Sequence, residues 1–141
     1  MIVLDTNVLS ELMKPQGSKE VKAWVKAQPR HNLFITTITQ AEVLYGIAIL
    51  PVGTRRQLLQ DTTQAMLRED FLDKILSFDS ESAHYFAIIA SHRRGQGKPI
   101  SQFDAQIAAV CRTHQAILAT RNINDFTDCQ IELVNPWRST Q

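Results

Sequence analysis

The chain begins with a short run of consecutive apolar side chains. Residues 2–4 are Ile, Val and Leu, with no polar alternation, which is typical of a strand buried on both faces of a parallel sheet. Similar apolar and β-branched runs recur along the chain. They predict strands at 2–4, 33–38, 75–78 and 117–120, with a fifth at 131–134 on the sheet edge.

Between these runs, apolar residues recur every three or four positions, as on the buried face of an amphipathic helix. The predicted helices are one capped by Asp5 or Thr6 and ended by Pro15, one around 21–25, one at 39–49, one at 54–71, one capped by Asp79 or Ser80, and one at 101–111. Strands that alternate with helices favour parallel pairing through right-handed crossovers. The sequence therefore predicts one domain, residues 1–141, folded as a three-layer α/β/α sandwich with a central parallel sheet of four to five strands.

Composition narrows the function only slightly. Fifteen Lys and Arg balance fourteen Asp and Glu, so no overall field attracts a polyanion and any nucleic-acid contact must be local. Cys111 and Cys129 lack metal-ligand spacing and are interpreted as ordinary thiols. The apolar start reaches Asp5 without a basic flank, so neither a signal peptide nor a membrane span is predicted and a cytoplasmic location is expected.

Four acidic residues fall where a parallel sheet assembles its functional site. Asp5 ends the first strand, Glu42 lies in the first turn of the helix after the second strand, and Asp104 lies in the first turn of the helix before the fourth. Asp125, with Asn122, follows the fourth strand. The carboxyl ends of parallel strands meet at one edge of the sheet, so these side chains are expected to converge there.

Helix capping explains each acid singly. The segments 39–42 and 101–104 match a capping box or a near variant, Asp5 is a possible N-cap, and Asp125 is a possible turn residue. The flanking residues favour a role beyond capping, because Ala41, Val43, Phe103 and Ala105 are expected to be packed. Both interpretations stay open at this stage.

Converging carboxylates have a physical consequence. Two of them about 4 Å apart repel by roughly 4 kcal/mol at an effective dielectric near 20, so a cation is expected to neutralise them. Oxygen ligands without His or Cys suit Mg²⁺ or Mn²⁺ rather than zinc. Such an ion activates water and stabilises charge at a phosphodiester, which is nuclease chemistry.

Four sequence segments carry a resemblance to a known family. They are 1–9 (MIVLDTNVL), 41–46 (AEVLYG), 104–109 (DAQIAA) and 119–122 (ATRN) followed by Asp125 and Phe126. With these segments in this order, the chain resembles the PIN-domain ribonucleases of the VapC or FitB type, which are the toxin halves of type II toxin-antitoxin pairs.

The resemblance implies a Mg²⁺- or Mn²⁺-dependent endoribonuclease that cuts RNA, forms a homodimer and is inhibited by a small VapB-like antitoxin that also binds operator DNA. It assigns Asp5, Glu42 and Asp104 to the metal, directly or through water. Supporting roles fall to Thr6, Asn7 and Thr120. A fourth acid is frequent where this chain has Asn122, so either Asn122 or the catalytic candidate Asp125 completes the site.

Basic residues near the predicted edge are candidates for RNA contact. Arg93, Arg94 and Lys98 flank Gly95 and Gly97 in a predicted surface loop at 93–99, and Arg121 lies beside the fourth strand end. The alternative for the loop is a solvated segment without a partner.

Two other functions were weighed. A phosphohydrolase with Asp5 as covalent nucleophile is possible for a carboxylate that ends a first strand, but the haloacid-dehalogenase pattern requires a second Asp where this chain has Asn7. A catalytically inactive PIN-like module that binds RNA or protein is the other alternative. The intact acids Asp5, Glu42 and Asp104 disfavour it.

Overall fold

The architecture is a five-stranded parallel sheet in the order β3-β2-β1-β4-β5. A computed structural model describes residues 1–138. The strands are β1 (Ile2–Leu4), β2 (Leu33–Thr36), β3 (Ile75–Leu76), β4 (Ile117–Ala119) and β5 (Glu132–Val134). All five predicted strands are present, and β5 lies at an edge as expected.

Helices cover both faces of this sheet. They are α1 (Thr6–Met13), α2 (Lys19–Lys26), α3 (Thr37–Ala48), α4 (Thr54–Glu69), α5 (Ser80–Gly95) and α6 (Gln102–His114), with short 3₁₀ helices at Arg30–Asn32 and Ile123–Phe126. Side chains on β1 alternate between two cores. Ile2 and Leu4 pack with α1 to α4, whereas Val3 packs with α5 and α6. The three-layer α/β/α prediction is confirmed.

Two predicted boundaries were wrong, and both affect the site. The second strand ends at Thr36, whose hydroxyl accepts the backbone N–H of Thr39 and so caps α3. Glu42 therefore lies in the second turn of α3, not in the first, and the capping box predicted at 39–42 does not exist. The helix α5 continues to Gly95, so Arg93 and Arg94 belong to its last turn rather than to a loop.

The first strand lies in the middle of the sheet, between β2 and β4. The chain adds β2 and β3 on one side of β1 and then crosses over to add β4 and β5 on the other. In sheets of this kind, ligands bind in the crevice outside the carboxyl ends of the strands where the direction of winding changes. Here that point falls between the ends of β1 and β4, which are followed by Asp5 and Thr120.

The structure also describes the two cysteines and the lengths of the helices. Cys111 and Cys129 are buried free thiols, as interpreted from the sequence. Within residues 1–138, no helix is long and apolar enough to span a bilayer.

Candidate active site

Asp5 is the most buried acid of the predicted set. Its side chain is 5% exposed, and Oδ1 accepts the backbone N–H of Thr6 at 2.8 Å, which caps α1. Oδ2 accepts the hydroxyl of Thr120 at 2.7 Å. The Thr120 oxygen in turn accepts the backbone N–H of Asn122 at 3.0 Å, so its only proton is directed to Asp5. The supporting role predicted for Thr120 has a clear geometric basis.

The ionisation of Asp5 reflects this burial. Its pKa is raised from 3.8 to about 6, chiefly because burial disfavours the charged form, while the hydrogen bonds from Thr120 and Thr6 act in the opposite direction. The charges of Asp104 and Glu42 raise it further. Carboxylates from three distant parts of the chain therefore lie within electrostatic range of one another.

Glu42 is held by two hydroxyl groups. The Thr6 hydroxyl lies 2.7 Å from Glu42 Oε1 and donates to it. Because a hydroxyl has only one proton, the Thr39 hydroxyl, 3.0 Å from the Thr6 oxygen, must be the donor in that second contact. Thr39 is fully buried. It is a member of the site that the sequence interpretation missed, because it was assigned to a cap that does not form.

Asp104 and Asp125 complete the acidic edge. Asp104 lies in the first turn of α6, where its backbone N–H is capped by Ser101, so the predicted cap is present here. The pKa of Asp104 is raised, first by burial and then by the charges of Asp125 and Glu42. Asp125 is exposed in the 3₁₀ helix Ile123–Phe126, and its charge acts on Asp104.

The packing expected around Glu42 and Asp104 is only half correct. Val43 and Ala105 are buried, but Ala41 is exposed and Phe103 is 56% exposed. Each acid thus stands at the margin of the core, with one packed neighbour and one solvent-facing neighbour. A margin of this kind leaves a carboxylate accessible to a ligand.

None of the four acids has a basic partner within salt-bridge distance among residues 1–138, where the ion pairs involve Glu11, Glu69 and Asp70 instead. In the same part of the chain, no three Asp, Glu, His or Cys side chains are arranged to hold one metal ion. Thr6 engages Glu42, and Thr120 engages Asp5, and the carboxylates of Asp5, Glu42 and Asp104 interact electrostatically without forming such a cluster. The oxygen-only donor set and the uncompensated negative charge fit a hard divalent cation.

The predicted basic residues separate into two groups. Arg121 is exposed; its guanidinium lies 5.1 Å from the centre of the Trp137 ring, and its backbone N–H donates to Asn7 Oδ1 at 3.4 Å. Arg94 and Lys98 are exposed as expected. Arg93, in contrast, is 5% exposed and bonds to backbone carbonyls, which contradicts its prediction as a phosphate-binding loop residue.

A cleft that the sequence did not reveal opens beside Glu42. Its volume is about 480 Å³, and its lining includes Thr6 and Glu42 together with apolar side chains of α1, α3 and α4. Leu58 of α4 lines this cleft and is 56% exposed. The acidic edge is therefore bordered by an apolar surface.

Comparison with known proteins identifies the class first. The family model described as the PIN domain matches residues 2–129, and the chain belongs to that family. The resemblance inferred from the four sequence segments is confirmed.

Individual relatives agree over nearly the full chain. This chain is 35% identical to the VapC ribonuclease Y4jK of Sinorhizobium fredii, and the match covers 97% of this chain and 98% of that protein. It is 34% identical to the toxin FitB of Neisseria gonorrhoeae, covering 97% and 99%. Among solved structures, FitAB bound to a DNA fragment matches with a TM-score of 0.93 and 33% identity over 100% of this chain and 99% of that one.

Proposed function

We propose that this protein is a Mg²⁺- or Mn²⁺-dependent endoribonuclease that hydrolyses RNA phosphodiester bonds as the toxin of a toxin-antitoxin pair. The observation that carries the proposal is the electrostatic coupling of Asp5, Glu42, Asp104 and Asp125, none of which has a basic partner within salt-bridge distance among residues 1–138. Membership of the PIN-domain family, and relatives that are named a ribonuclease and a toxin, support it.

The residues at the acidic edge of the sheet have different roles in this proposal. Asp5, Glu42 and Asp104 would hold the ion, directly or through water molecules, and Asp125 or Asn122 would complete the site. When bound, the ion supplies an activated water and neutralises charge on the phosphate and the leaving oxygen. Thr120 and Thr6 fix the directions of the Asp5 and Glu42 carboxylates through the hydrogen bonds described above.

Substrate contact follows from the exposed cations. Arg121 lies next in sequence to Thr120, the partner of Asp5, and Trp137 stacks against its guanidinium, which leaves Arg121 available to an RNA phosphate. Arg94 and Lys98 are the second pair of phosphate contacts. Because the net charge is only +1, we expect RNA affinity to depend on these few residues and to fall with salt.

The first experiment measures cleavage of a structured RNA with Mn²⁺, with Mg²⁺ and with chelator. Wild type is expected to cleave only with metal, and Asp5→Asn is expected to lose activity. Glu132→Gln, an exposed acid at the amino end of β5, is the matched control and should cleave normally. If wild type and Asp5→Asn bind RNA equally and neither cleaves, the chain is an inactive RNA-binding module.

The proposed antitoxin has a surface to bind. The largely apolar lining of the Glu42 cleft, which includes the exposed Leu58, favours a protein partner, since apolar surface on soluble proteins often marks an interaction site. Expression of the chain should arrest growth, and co-expression of its VapB-like antitoxin should restore it. We propose a homodimer as the active form, which light scattering coupled to size exclusion tests.

A further inference from the structure

Arg93 is a buried cation without an acidic partner. It lies in the last turn of α5 with 5% of its surface exposed, and none of the salt bridges within residues 1–138 includes it. Burial of an unpaired guanidinium is unfavourable unless its N–H groups are satisfied. The hydrogen bonds of its guanidinium therefore indicate the structural role of Arg93.

Three backbone carbonyls accept hydrogen bonds from two of the three guanidinium nitrogens. Nε donates to the carbonyl of Lys98 at 2.8 Å, and Nη1 donates to those of Asp125 at 2.9 Å and Thr127 at 3.0 Å. The Lys98 N–H also donates back to the Arg93 carbonyl at 3.0 Å. These carbonyls belong to two segments that are distant in sequence, 96–101 before α6 and 123–129 after β4.

Each of these segments leads to one acid of the proposed site. Segment 96–101 ends at Ser101, which caps the helix that carries Asp104, and Asp125 lies within segment 123–129. Arg93 is thus the hydrogen-bonded link between the two acid-bearing segments.

We propose that Arg93 is a positioning residue of the nuclease site, which fixes Asp104 and Asp125 relative to each other and places a buried positive charge behind them. The inference rests on the proposed function and extends it. Arg93 touches neither RNA nor the ion. It acts through the two segments that it joins.

Arg93→Lys is the decisive variant, because lysine keeps the charge but lacks the planar fork that reaches carbonyls in two directions. Three quantities are measured: Mn²⁺ affinity by calorimetry, hydrogen exchange of the amides in 123–129, and kcat and KM for RNA. Loss of an outer-sphere partner typically weakens metal affinity or activity about 10- to 100-fold. We expect weaker Mn²⁺ binding, faster exchange and a lower kcat with little change in KM. Arg68→Lys, an exposed arginine of α4, is the control.

The outcomes separate the two proposals. If wild type binds Mn²⁺ and Arg93→Lys binds it equally well with unchanged kcat, the positioning role is wrong and the proposed function stands, even if the variant melts at a lower temperature. If wild type neither binds Mn²⁺ nor cleaves RNA, the proposed function fails and the role of Arg93 fails with it. Arg93→Met, which removes the charge as well as the hydrogen bonds, is the second variant and should bind Mn²⁺ at least as weakly as Arg93→Lys; if it does not fold, Arg93→Lys alone decides.

Discussion

Replacing Asp5 by Asn tests the electrostatic description of the site without measuring catalysis. The buried carboxyl has its pKa raised from 3.8 to about 6. At 1.36 kcal/mol for each pKa unit, its ionisation at neutral pH destabilises the metal-free fold by about 3 kcal/mol. Asn carries no charge, and its amide oxygen still accepts the Thr6 N–H. We therefore expect Asp5→Asn to be more stable than wild type at pH 8, when metal is absent.

The gain should be smaller than the full electrostatic amount. In wild type, the Thr120 hydroxyl donates to Asp5 Oδ2, whereas the Asn side chain presents an N–H group at that position. Thr120 must then accept instead of donate, and its own proton loses a partner. Subtracting about 1 kcal/mol for this hydrogen bond leaves an increase of roughly 2 kcal/mol in the free energy of unfolding.

The raised pKa of Asp5 also determines how the stability of wild type changes with pH. Between pH 3.8 and about 6 the folded protein retains a proton that the unfolded chain releases, so lowering the pH stabilises wild type relative to the variant. About half of the penalty is left at pH 5, and little near pH 4. Urea unfolding of wild type and Asp5→Asn with chelator at pH 8, 5 and 4 measures the difference in their free energies of unfolding. An Asp5→Asn protein that is less stable than wild type at pH 8, or a difference independent of pH, would refute the reasoning.

Three other substitutions test the surrounding structure by equilibrium unfolding. Thr63→Val should raise the free energy of unfolding by about 1 kcal/mol, because the Thr63 hydroxyl is buried without a hydrogen-bond partner; a destabilised variant would contradict this. Thr39→Val should lower the free energy of unfolding by about 1 kcal/mol, because it removes the hydroxyl that donates to Thr6. Thr39→Ser keeps that hydroxyl and should be near wild type. Equal effects of the two substitutions would exclude a role for the Thr39 hydroxyl in supporting Thr6 and Glu42. Leu118→Ala, in the core strand β4, should lower the free energy of unfolding by about 2 to 5 kcal/mol, and a loss below 1 kcal/mol would show that the strand repacks.

The sequence predicted the fold well because the three central strands, β1, β2 and β4, are largely buried on both faces. Continuous apolar runs such as 2–4 and 117–119 have no other stable use in a chain of this length, and the helices between them fix parallel pairing. The errors occurred at boundaries. Thr37 and Ile38 were assigned to the second strand because Thr and Ile favour extended structure, but they begin α3, which the Thr36 hydroxyl caps. Capping by Thr36 cannot be distinguished from capping by the neighbouring Thr39 by pattern alone.

The sequence predicted which acidic residues belong to the candidate site, but not which side chains support them. The positions of Asp5 and Asp104 followed from the strand and helix ends, whereas the support of Glu42 by Thr39 depends on the register of α3. Arg93 was misassigned because Gly95 and Gly97 indicate a loop, and only the three-dimensional structure shows that carbonyls from residues 98, 125 and 127 surround its guanidinium. A contact between segments 30 residues apart has no signal in local spacing.

Capping and metal binding are compatible explanations of Asp5, because they use different parts of the side chain. Oδ1 caps α1 by accepting the Thr6 N–H, and Ser, Thr or Asn at this position would do the same. Capping requires neither burial nor a negative charge, and both destabilise the fold here, since burial raises the pKa to about 6. The carboxylate is therefore not explained by the helix that it caps. The cation proposed at the edge of the sheet would offset this charge and so give the carboxylate a role beyond capping.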